Sequence, residues 1–231
     1  MIRNMNVLYE DDHILVCEKP AGMPTQAGKV TEKDMVSEVN NYLRKAGAKA
    51  SAYLIHRLDK PVRGILLFAK TKQAAAKLNA QISESAEPIS NTNNQKAFVK
   101  KYYAIVEGGF SEKEGVLDNY LYKDGSKAYI DENRKRPDSK RSRLKYEVIE
   151  EKTVENDDKT TQICKLNIML YTGRFHQIRC QLSNIGHPIV GDTIYGSSIP
   201  YEKRKAIGLI AYSLSFIHPI TNKEVHFEIS E

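Results

Sequence analysis

The chain has 231 residues, of which 41% are hydrophobic and 28% charged, and this composition excludes general disorder as well as collagen-like and mucin-like chains. Apolar runs such as Gly64–Ala69 are far shorter than the roughly 20 residues of a membrane helix. The N-terminus leads straight into the acidic Glu10–Asp12 without an apolar targeting segment, so we expect a soluble, cytoplasmic protein without a membrane partner. Lysine and arginine number 35 against 29 acidic residues, and the net charge of +6 permits nucleic-acid binding without requiring it.

The cysteines and histidines form no recognisable cluster. Cys17, Cys164 and Cys180 are far apart in apolar stretches, and an odd number without a CxxC pair argues against a disulfide framework. We expect them to be small core residues in a reducing compartment. The six histidines are too scattered to supply a local ligand set, so the sequence predicts no metal site.

Periodicity and turn residues predict the elements of the first half. A helix is indicated by apolar residues at helical spacing and a stop at Gly47, and Thr71 is a candidate N-cap for a second helix. In chain order the elements are strands at Val7–Tyr9 and Ile14–Cys17, a helix at Asp34–Ala46, a strand at Ile65–Ala69, a helix after Thr71 that carries Ala74, Ala75, Leu78 and Ile82, and a polar surface loop at Ser83–Lys96.

Strands dominate the second half. They are predicted at Phe98–Val106, Leu144–Ile149, Thr161–Leu170, Leu209–Phe216 and Val225–Ile229. Glu150–Lys159 is charged and without a strand pattern, so we expect a hairpin loop there. Arg174–Ile185 has helical periodicity and a stop at Gly186. Because strands outnumber helices and rarely alternate with them, the fold class is α+β with a mostly antiparallel or mixed sheet.

One carboxylate, Asp59, stands among cationic side chains immediately before a buried strand, in the segment His56–Gly64. The neighbouring cations would favour its ionised form. Pro61 and Gly64 would stiffen and sharpen the turn that presents it. These residues alone leave open both a surface turn of ion pairs and a carboxylate presented for chemistry.

A candidate partner for a carboxylate lies in the predicted helix at Arg174–Ile185. On that helix Phe175, Arg179 and Leu182 share one face, which places a guanidinium within an apolar stripe. A buried arginine needs a partner, and a carboxylate such as Asp59 can meet it through two hydrogen bonds. An arginine that reaches solvent from the edge of the stripe is the alternative.

Two further segments carry side chains that could contact a nucleic acid. On the strand Lys100–Gly108, Tyr102 and Tyr103 face opposite sides, so at least one points inward, either as a core residue or as a stacking platform for a base. The segment Arg134–Lys145 holds seven basic side chains and one acid. It is either a solvated, mobile loop or an arm that contacts phosphates and gains affinity from counterion release.

Six motifs resemble those of the RluA-type family of RNA pseudouridine synthases, in the family's order and over nearly the whole chain. They are Glu18–Met23 (KPAGM element), His56–Asp59 (HRLD), Lys100–Gly108 (tyrosine strand), Gly173–Arg179 (GRxHQIR), Gly186–Gly196 (GHPIxGDxxYG) and Phe216–Pro219 (FxHP). The resemblance implies a twisted mixed sheet flanked by helices, with a central RNA-binding cleft, in a single catalytic domain over residues 1–231. It also implies the isomerisation of selected uridines in structured RNA to pseudouridine.

The resemblance assigns roles by position. Asp59 is the catalytic aspartate, Arg179 its ion-pair partner, Tyr102 the residue against the base, and Arg57 the arginine that enters the space left by a flipped nucleotide. The other expected RNA contacts are His56, Lys70, Arg174 and His176. The reaction detaches uracil from ribose and rejoins it through carbon 5, which is redox-neutral, so no cofactor or metal is expected.

The chain departs from the family pattern at three places. It reads Val62-Arg63-Gly64 where the family usually has threonine or serine, serine and glycine; Phe175 replaces a small hydroxyl residue, and Gln181 replaces a common histidine. These departures bear on substrate contacts and not on the reaction. Ribosomal and transfer RNA are both substrates of the family, and an RNA-binding protein without activity or a small-molecule enzyme with an Asp–Arg site are the competing classes.

Overall fold

The computed structural model describes residues 5–28, 31–47, 51–85, 98–156, 159–203 and 205–231. In these ranges the chain forms eleven β-strands and three α-helices, which confirms the α+β class. They fall into two compact units: Met1–Val99 with Ala211–Glu231, and Lys100–Ile210. The single catalytic domain over residues 1–231 stays a prediction. Within the described ranges, the helices are too short or too polar to span a membrane.

The strands and helices of the two units have the following bounds. In chain order they are β1 Val7–Glu10, β2 Ile14–Lys19, α1 Met35–Lys45, β3 Tyr53–Leu54, β4 Arg63–Ala69, α2 Lys72–Ser85, β5 Phe98–Glu107, β6 Glu114–Asp124, β7 Lys127–Ile130, β8 Lys140–Asn156, β9 Lys159–Leu170, α3 Gln177–Asn184, a 3-10 turn Thr193–Tyr195, β10 Leu209–Ile217 and β11 Glu224–Glu228.

The first unit is built on β2, β4 and β10. β1 and β4 flank β2 in antiparallel register, β4 lies next to β10, and β11 pairs with β10. β4 is apolar along nearly its whole length because both of its faces are buried. α2 packs on this sheet through Ala74, Ala75 and Leu78, and Thr71 caps it as predicted, since the Ala74 amide donates to the Thr71 hydroxyl.

The second unit is an antiparallel sheet in the order β5-β9-β8-β6-β7. α3 lies against β6 and β7, where Cys180 of the helix packs with Leu121, Ala128 and Tyr195. The three cysteines are buried and free, as expected. Since successive strand residues point to opposite faces, the residues that alternate with Leu121 on β6 point away from α3.

The structure corrects two predictions about strands. The expected loop at Glu150–Lys159 is wrong, because β8 runs on to Asn156 and β9 begins at Lys159. β6 and β7 were not predicted at all. β6 carries one fully buried side chain, Leu121, so its sequence lacks the alternation of apolar residues that identifies a half-buried strand.

Other differences concern segment ends and the basic segment. α3 is shorter than the predicted helix because His176 has a left-handed backbone (φ 51°), so Arg174 and Phe175 precede the helix. The basic segment is not a loop throughout, since it enters β8 at Lys140. Of the predicted polar loop at Ser83–Lys96, residues 83–85 end α2 and residues 86–96 lie outside the described residues.

Candidate active site

Asp59 lies on a tight turn between β3 and β4. The Val62 amide donates to the Asp59 carbonyl at 3.0 Å, which closes the turn. Leu58 and Val62 on either side are buried in the first unit, whereas the Asp59 side chain is half-buried. The turn therefore has apolar anchors before and after Asp59, while Asp59 as a whole residue stays partly exposed.

The KPAGM element and the residues after it hold this turn through its backbone. The Thr25 hydroxyl donates to the Leu58 carbonyl at 2.8 Å and accepts from the Leu58 amide at 3.0 Å. The Gly22 amide donates to the Lys60 carbonyl at 2.8 Å. The residues before and after Asp59 are thus both tied to the same neighbouring loop, which restricts where its carboxylate can point.

A buried ammonium lies beside the turn. Lys19, at the end of β2, is fully buried, and its Nζ donates to the carbonyls of Pro20 (3.0 Å), Met23 (2.7 Å) and Lys60 (3.2 Å). Burial lowers the pKa of Lys19 to about 7, and the negative charge of Asp59 acts in the opposite direction. The three carbonyls match the three donors of an ammonium. Lys19 is therefore a cation placed by the fold next to the carboxylate.

The cations next to Asp59 in the sequence have other partners. Lys60 pairs with Glu32 at 2.6 Å, and Arg63, one of the departures from the family pattern, forms a short salt bridge with Glu18 on the adjacent strand. The turn thus contains ion pairs, as one interpretation of the sequence proposed. Gly64 is needed where β4 approaches β10, because a Cβ there would lie 2.4 Å from the Cβ of Ala211.

Three predicted RNA contacts also lie in the first unit. Arg57 is exposed, and the half-buried His56 ring has its edge against Phe98 at 6.1 Å. Lys70 donates to Glu10 at 2.8 Å and to the carbonyl of Asp11 at 2.6 Å. Through these two bonds Lys70 connects the end of β4 to the β1–β2 turn. Its contact with RNA stays a prediction.

Arg179 lies on α3 in the second unit with only 2% of its surface exposed. Its Nε and Nη2 donate to the two carboxylate oxygens of Asp192 at 2.6 and 2.7 Å. The buried arginine thus has the bidentate carboxylate that the sequence called for, supplied by the GHPIxGDxxYG motif. Asp59 belongs to the other unit, and its pairing with Arg179 stays a prediction.

His176 connects this ion pair to an aromatic group. Its Nε2 lies 2.8 Å from Arg179 Nη1, and its Nδ1 lies 3.1 Å from the Tyr195 hydroxyl. Because a guanidinium can only donate, Nε2 accepts and the ring proton is on Nδ1. Burial, with the charge of Arg179, lowers the pKa of His176 to about 4. Phe175 stacks on the same ring at 3.8 Å, so this departure covers one face of the His176 ring.

The third departure, Gln181, belongs to a buried amide network that fixes α3 on the sheet. The Gln177 amide donates to the Gln181 carbonyl oxygen at 3.0 Å. The Gln181 amide in turn donates to the side chain of Asn119 at 2.7 Å and to the carbonyl of Ser142 at 3.1 Å. Because these groups are buried and paired, the network sets the position of the helix that carries Arg179.

The remaining predicted residues are Tyr102 and Arg174. Tyr102 points inward from β5, opposite Ile168 of β9, and only 6% of it is exposed, whereas Tyr103 is half-exposed. This confirms that one tyrosine of the strand faces inward. Arg174 is exposed, and its Nε donates to the carbonyl of Arg141 at 3.1 Å.

The structure adds three residues to the predicted site. Lys19 and Thr25 hold the Asp59 turn, and Asp192 holds Arg179. Lys19 and Asp192 could have been suspected, because each lies inside a motif singled out from the sequence and charged residues are rarely buried without a partner. No sequence signal distinguishes Thr25 from a surface threonine.

The comparisons with known proteins agree with this fold and site. Residues 13–184 match the family model described as RNA pseudouridylate synthase. The chain is 31% identical over 225 residues to the RNA pseudouridine synthase YjbO of Bacillus subtilis (96% of this chain, 71% of that protein) and 32% identical over 200 residues to the ribosomal large subunit pseudouridine synthase D of Nitrosomonas europaea (85% and 51%).

Among solved structures, the human RNA pseudouridylate synthase domain containing 1 has a similar fold, with a TM-score of 0.74 and 21% sequence identity over 99% of this chain and 84% of that chain. The mostly antiparallel α+β architecture of this chain is therefore that of a pseudouridylate synthase domain. Together with the matched family model, these similarities show that the chain belongs to the RNA pseudouridylate synthase family, isomerases that convert uridine in RNA to pseudouridine.

Proposed function

We propose that this protein isomerises particular uridines of ribosomal RNA and that Asp59 is its catalytic carboxylate. The observation that carries the proposal is the turn around Asp59, whose flanking residues Leu58 and Lys60 are both tied to one loop and which has the buried Lys19 beside it. Such restraint on a half-buried carboxylate is what a positioned nucleophile or base needs.

In the proposed reaction the uridine first leaves its stack, at a cost of a few kcal/mol. Asp59 then either attacks the anomeric carbon or removes the proton from the neighbouring ribose carbon, and in both routes the bond from the uracil nitrogen to the anomeric carbon breaks. Carbon 5 of the turned uracil then bonds to the anomeric carbon, which releases Asp59 in the first route and returns the proton to the ribose carbon in the second, and carbon 5 loses its own proton. The first route follows the carboxylate chemistry of retaining glycosidases. Tyr102 would hold the detached uracil and help to remove the proton from carbon 5.

We further propose Arg179 as the partner of Asp59. The Arg179 guanidinium already binds Asp192 and His176, which fix its orientation. In the proposed arrangement the guanidinium also meets the Asp59 carboxylate, keeps it ionised and orients it toward the sugar. His176 remains neutral above about pH 5 because its pKa is about 4, so it adds no competing positive charge.

The RNA partner is proposed from the relatives. One of them is a ribosomal large subunit enzyme by name, and this favours ribosomal over transfer RNA. The proposed contacts to that RNA are Arg57, His56, Arg174 and His176. Lys70 is the weakest candidate of the predicted set, because its ammonium already binds Glu10. A cytoplasmic location is part of the same proposal. Mapping pseudouridines in cells with and without the protein would identify the modified uridine.

The test replaces Asp59 with Asn, which keeps the shape and removes the charge. Tritium release from unmodified ribosomal RNA labelled at carbon 5 of uracil should fall by about 10³-fold or more, because the reacting group is lost. Asp12→Asn, at an exposed position of the β1–β2 turn, is the matched control and should keep full activity. Tritium release by Asp59→Asn at the rate of the control would refute the assignment.

Two competing classes make different predictions in the same assay. An RNA-binding protein without activity would release no tritium from any substrate. A small-molecule enzyme would act on uridine monophosphate and not on transcripts. Parallel assays with free nucleotide, transfer RNA transcripts and ribosomal RNA transcripts separate all of these outcomes.

A further inference from the structure

The second unit carries an ordered group of arginines and tyrosines outside the candidate active site. Arg134 lies over the Tyr120 ring with its guanidinium carbon 4.0 Å from the ring centroid, and Arg136 lies over the Tyr122 ring at 4.2 Å. Tyr122 stacks on Tyr129 of the neighbouring strand at 5.5 Å. We call these five residues, Tyr120, Tyr122, Tyr129, Arg134 and Arg136, the arginine–tyrosine array.

The array is built by a specific turn after β7. The Asp131 carboxylate, only 9% exposed, accepts from the amides of Lys135 and Arg136 at 3.0 Å each, and the Arg134 amide donates to the Asp131 carbonyl at 3.3 Å. The amide of Asp131 itself donates to the Tyr120 carbonyl at 2.7 Å. The turn therefore folds back over β6, so that both arginines reach the tyrosine rings.

The array occupies the face of the sheet that points away from α3. On β6, Tyr120 and Tyr122 alternate with Leu121, which packs with Cys180 of the helix. Cations follow on the neighbouring strand, where Arg141 stands opposite Tyr120. Since Tyr129 is 40% exposed and both arginines of the array are exposed, this face is presented to solvent and is not part of the core.

Stacking prepares a guanidinium to bind phosphate. A ring beneath its plane restricts rotation, while the N–H donors lie at the edge of the plane and can meet phosphate oxygens in pairs. Arg136 also pairs with Asp138 at 3.2 Å, but both side chains are about half exposed and such pairs exchange readily for a stronger anion. The charge of the segment Arg134–Lys145, seven cations and one acid, is complementary to a polyanion.

The array adjoins a motif of the candidate active site. Arg174, which precedes α3, donates to the carbonyl of Arg141, the residue opposite Tyr120. We infer that the arginine–tyrosine array binds the phosphates of the substrate RNA away from the modified uridine, an inference that rests on the proposed function.

The test removes the two cations and leaves the rest of the turn. Arg134→Gln/Arg136→Gln should weaken binding to unmodified ribosomal RNA transcripts by about tenfold or more at moderate salt. The slope of log affinity against log salt should become shallower by about 2, because each phosphate contact contributes roughly 0.9. In the tritium assay KM should rise by a similar factor while kcat changes less than about twofold, since the chemical step is untouched.

The matched control is Lys113→Gln/Lys152→Gln. It also removes two exposed cations of the second unit, each of them in an ion pair, but outside the array. It should keep the affinity and the salt slope of the natural protein. Arg134→Lys/Arg136→Lys keeps the charge without the planar edge, and should retain the salt slope with a few-fold weaker affinity, provided that thermal unfolding shows both variants folded.

The outcomes separate the two proposals. If the Arg134→Gln/Arg136→Gln variant kept its affinity and salt slope, the array would not be an RNA-binding surface. Its role would then be to bind an acidic protein or to stabilise the turn. If the natural protein bound RNA but released no tritium, the proposed function would fail. The difference in RNA affinity between the natural protein and the variant would still show whether the array binds RNA. If tritium were released and the comparison showed no difference, only the array would fail.

Discussion

Asp59 and Arg179 are held by different kinds of interaction. The turn of Asp59 is held through backbone groups, with Thr25 on Leu58 and Gly22 on Lys60. Arg179 is held through its side chain, with two bonds to the Asp192 carboxylate and one to His176. The residue whose backbone neighbours are restrained stays half-buried, whereas the arginine bound through its guanidinium is buried.

This difference shows how one protein can position two opposite charges. The peptide groups on either side of Asp59 are restrained without the use of its carboxylate in these bonds. The Arg179 guanidinium is buried against the Asp192 carboxylate, and removal of either partner would leave a buried charge unpaired. The two regions should therefore respond differently to substitution, and the following experiments compare them.

The largest effect on stability is expected at Arg179. Arg179→Met leaves the Asp192 carboxylate buried without its partner, which should lower the free energy of unfolding by about 3–5 kcal/mol. Urea denaturation at neutral pH measures this. Arg141→Met, which breaks the exposed pair with Asp118, is the control and should cost about 1 kcal/mol or less. Equal losses in the two variants would contradict the burial argument.

Lys19 should make stability depend on pH. Its pKa is about 7 in the folded protein and that of an ordinary lysine when unfolded, so between about pH 7 and 10 the unfolded chain holds a proton that the folded chain has released. The free energy of unfolding should therefore rise with pH through this window. Below about pH 7 both states hold the proton, and the contribution of Lys19 stays constant.

The comparison of the natural protein with Lys19→Met over this pH range isolates the effect. The variant should lose the rise with pH. Its kcat at about pH 6, where Lys19 still holds its proton, should fall by about tenfold, because Asp59 loses that neighbouring charge. Lys60→Met removes the adjacent exposed lysine, which pairs with Glu32, and should keep the same pH profile as the natural protein. A Lys19→Met variant with an unaltered profile would rule out the low pKa.

A smaller effect is expected at Thr25. Thr25→Val keeps the shape but leaves the amide and carbonyl of Leu58 without the hydroxyl, which should cost about 2 kcal/mol of stability. Because the turn then loses a restraint, kcat should fall more than KM rises. Thr25→Ser retains the hydroxyl and should recover most of both losses. Losses in Thr25→Ser as large as those in Thr25→Val would show that the hydroxyl alone does not account for them.

The smallest effect is expected at Lys70. Lys70→Met removes an ion pair with Glu10 at the edge of the first unit and should change the free energy of unfolding by about 1 kcal/mol or less. RNA affinity should stay unchanged, whereas Arg174→Gln should reduce it, since Arg174 is exposed. Filter binding with ribosomal RNA transcripts compares the two. If Lys70→Met reduced RNA affinity as much as Arg174→Gln, Lys70 would be an RNA contact as well.

Elements with a buried apolar face were predictable, and elements without one were not. β4 and α1 follow directly from their apolar patterns, and both were predicted with nearly the observed bounds. β6 and the outer part of β8 bury few side chains, so ladder hydrogen bonds and cross-strand pairs contribute much of what holds them, and these depend on partners distant in the chain. Local sequence carries little information about such strands.

The sequence by itself determined the class of the fold, the family and the identity of the candidate carboxylate, because motifs such as HRLD combine residue types whose chemistry is recognisable locally. Only the tertiary structure decided that Asp192 binds Arg179, that Lys19 is buried beside the Asp59 turn, and that Arg134 and Arg136 stack on tyrosines. The physical reason is that burial and pairing energies depend on distances between segments remote in the chain, and charge alone does not say which opposite charge lies within reach.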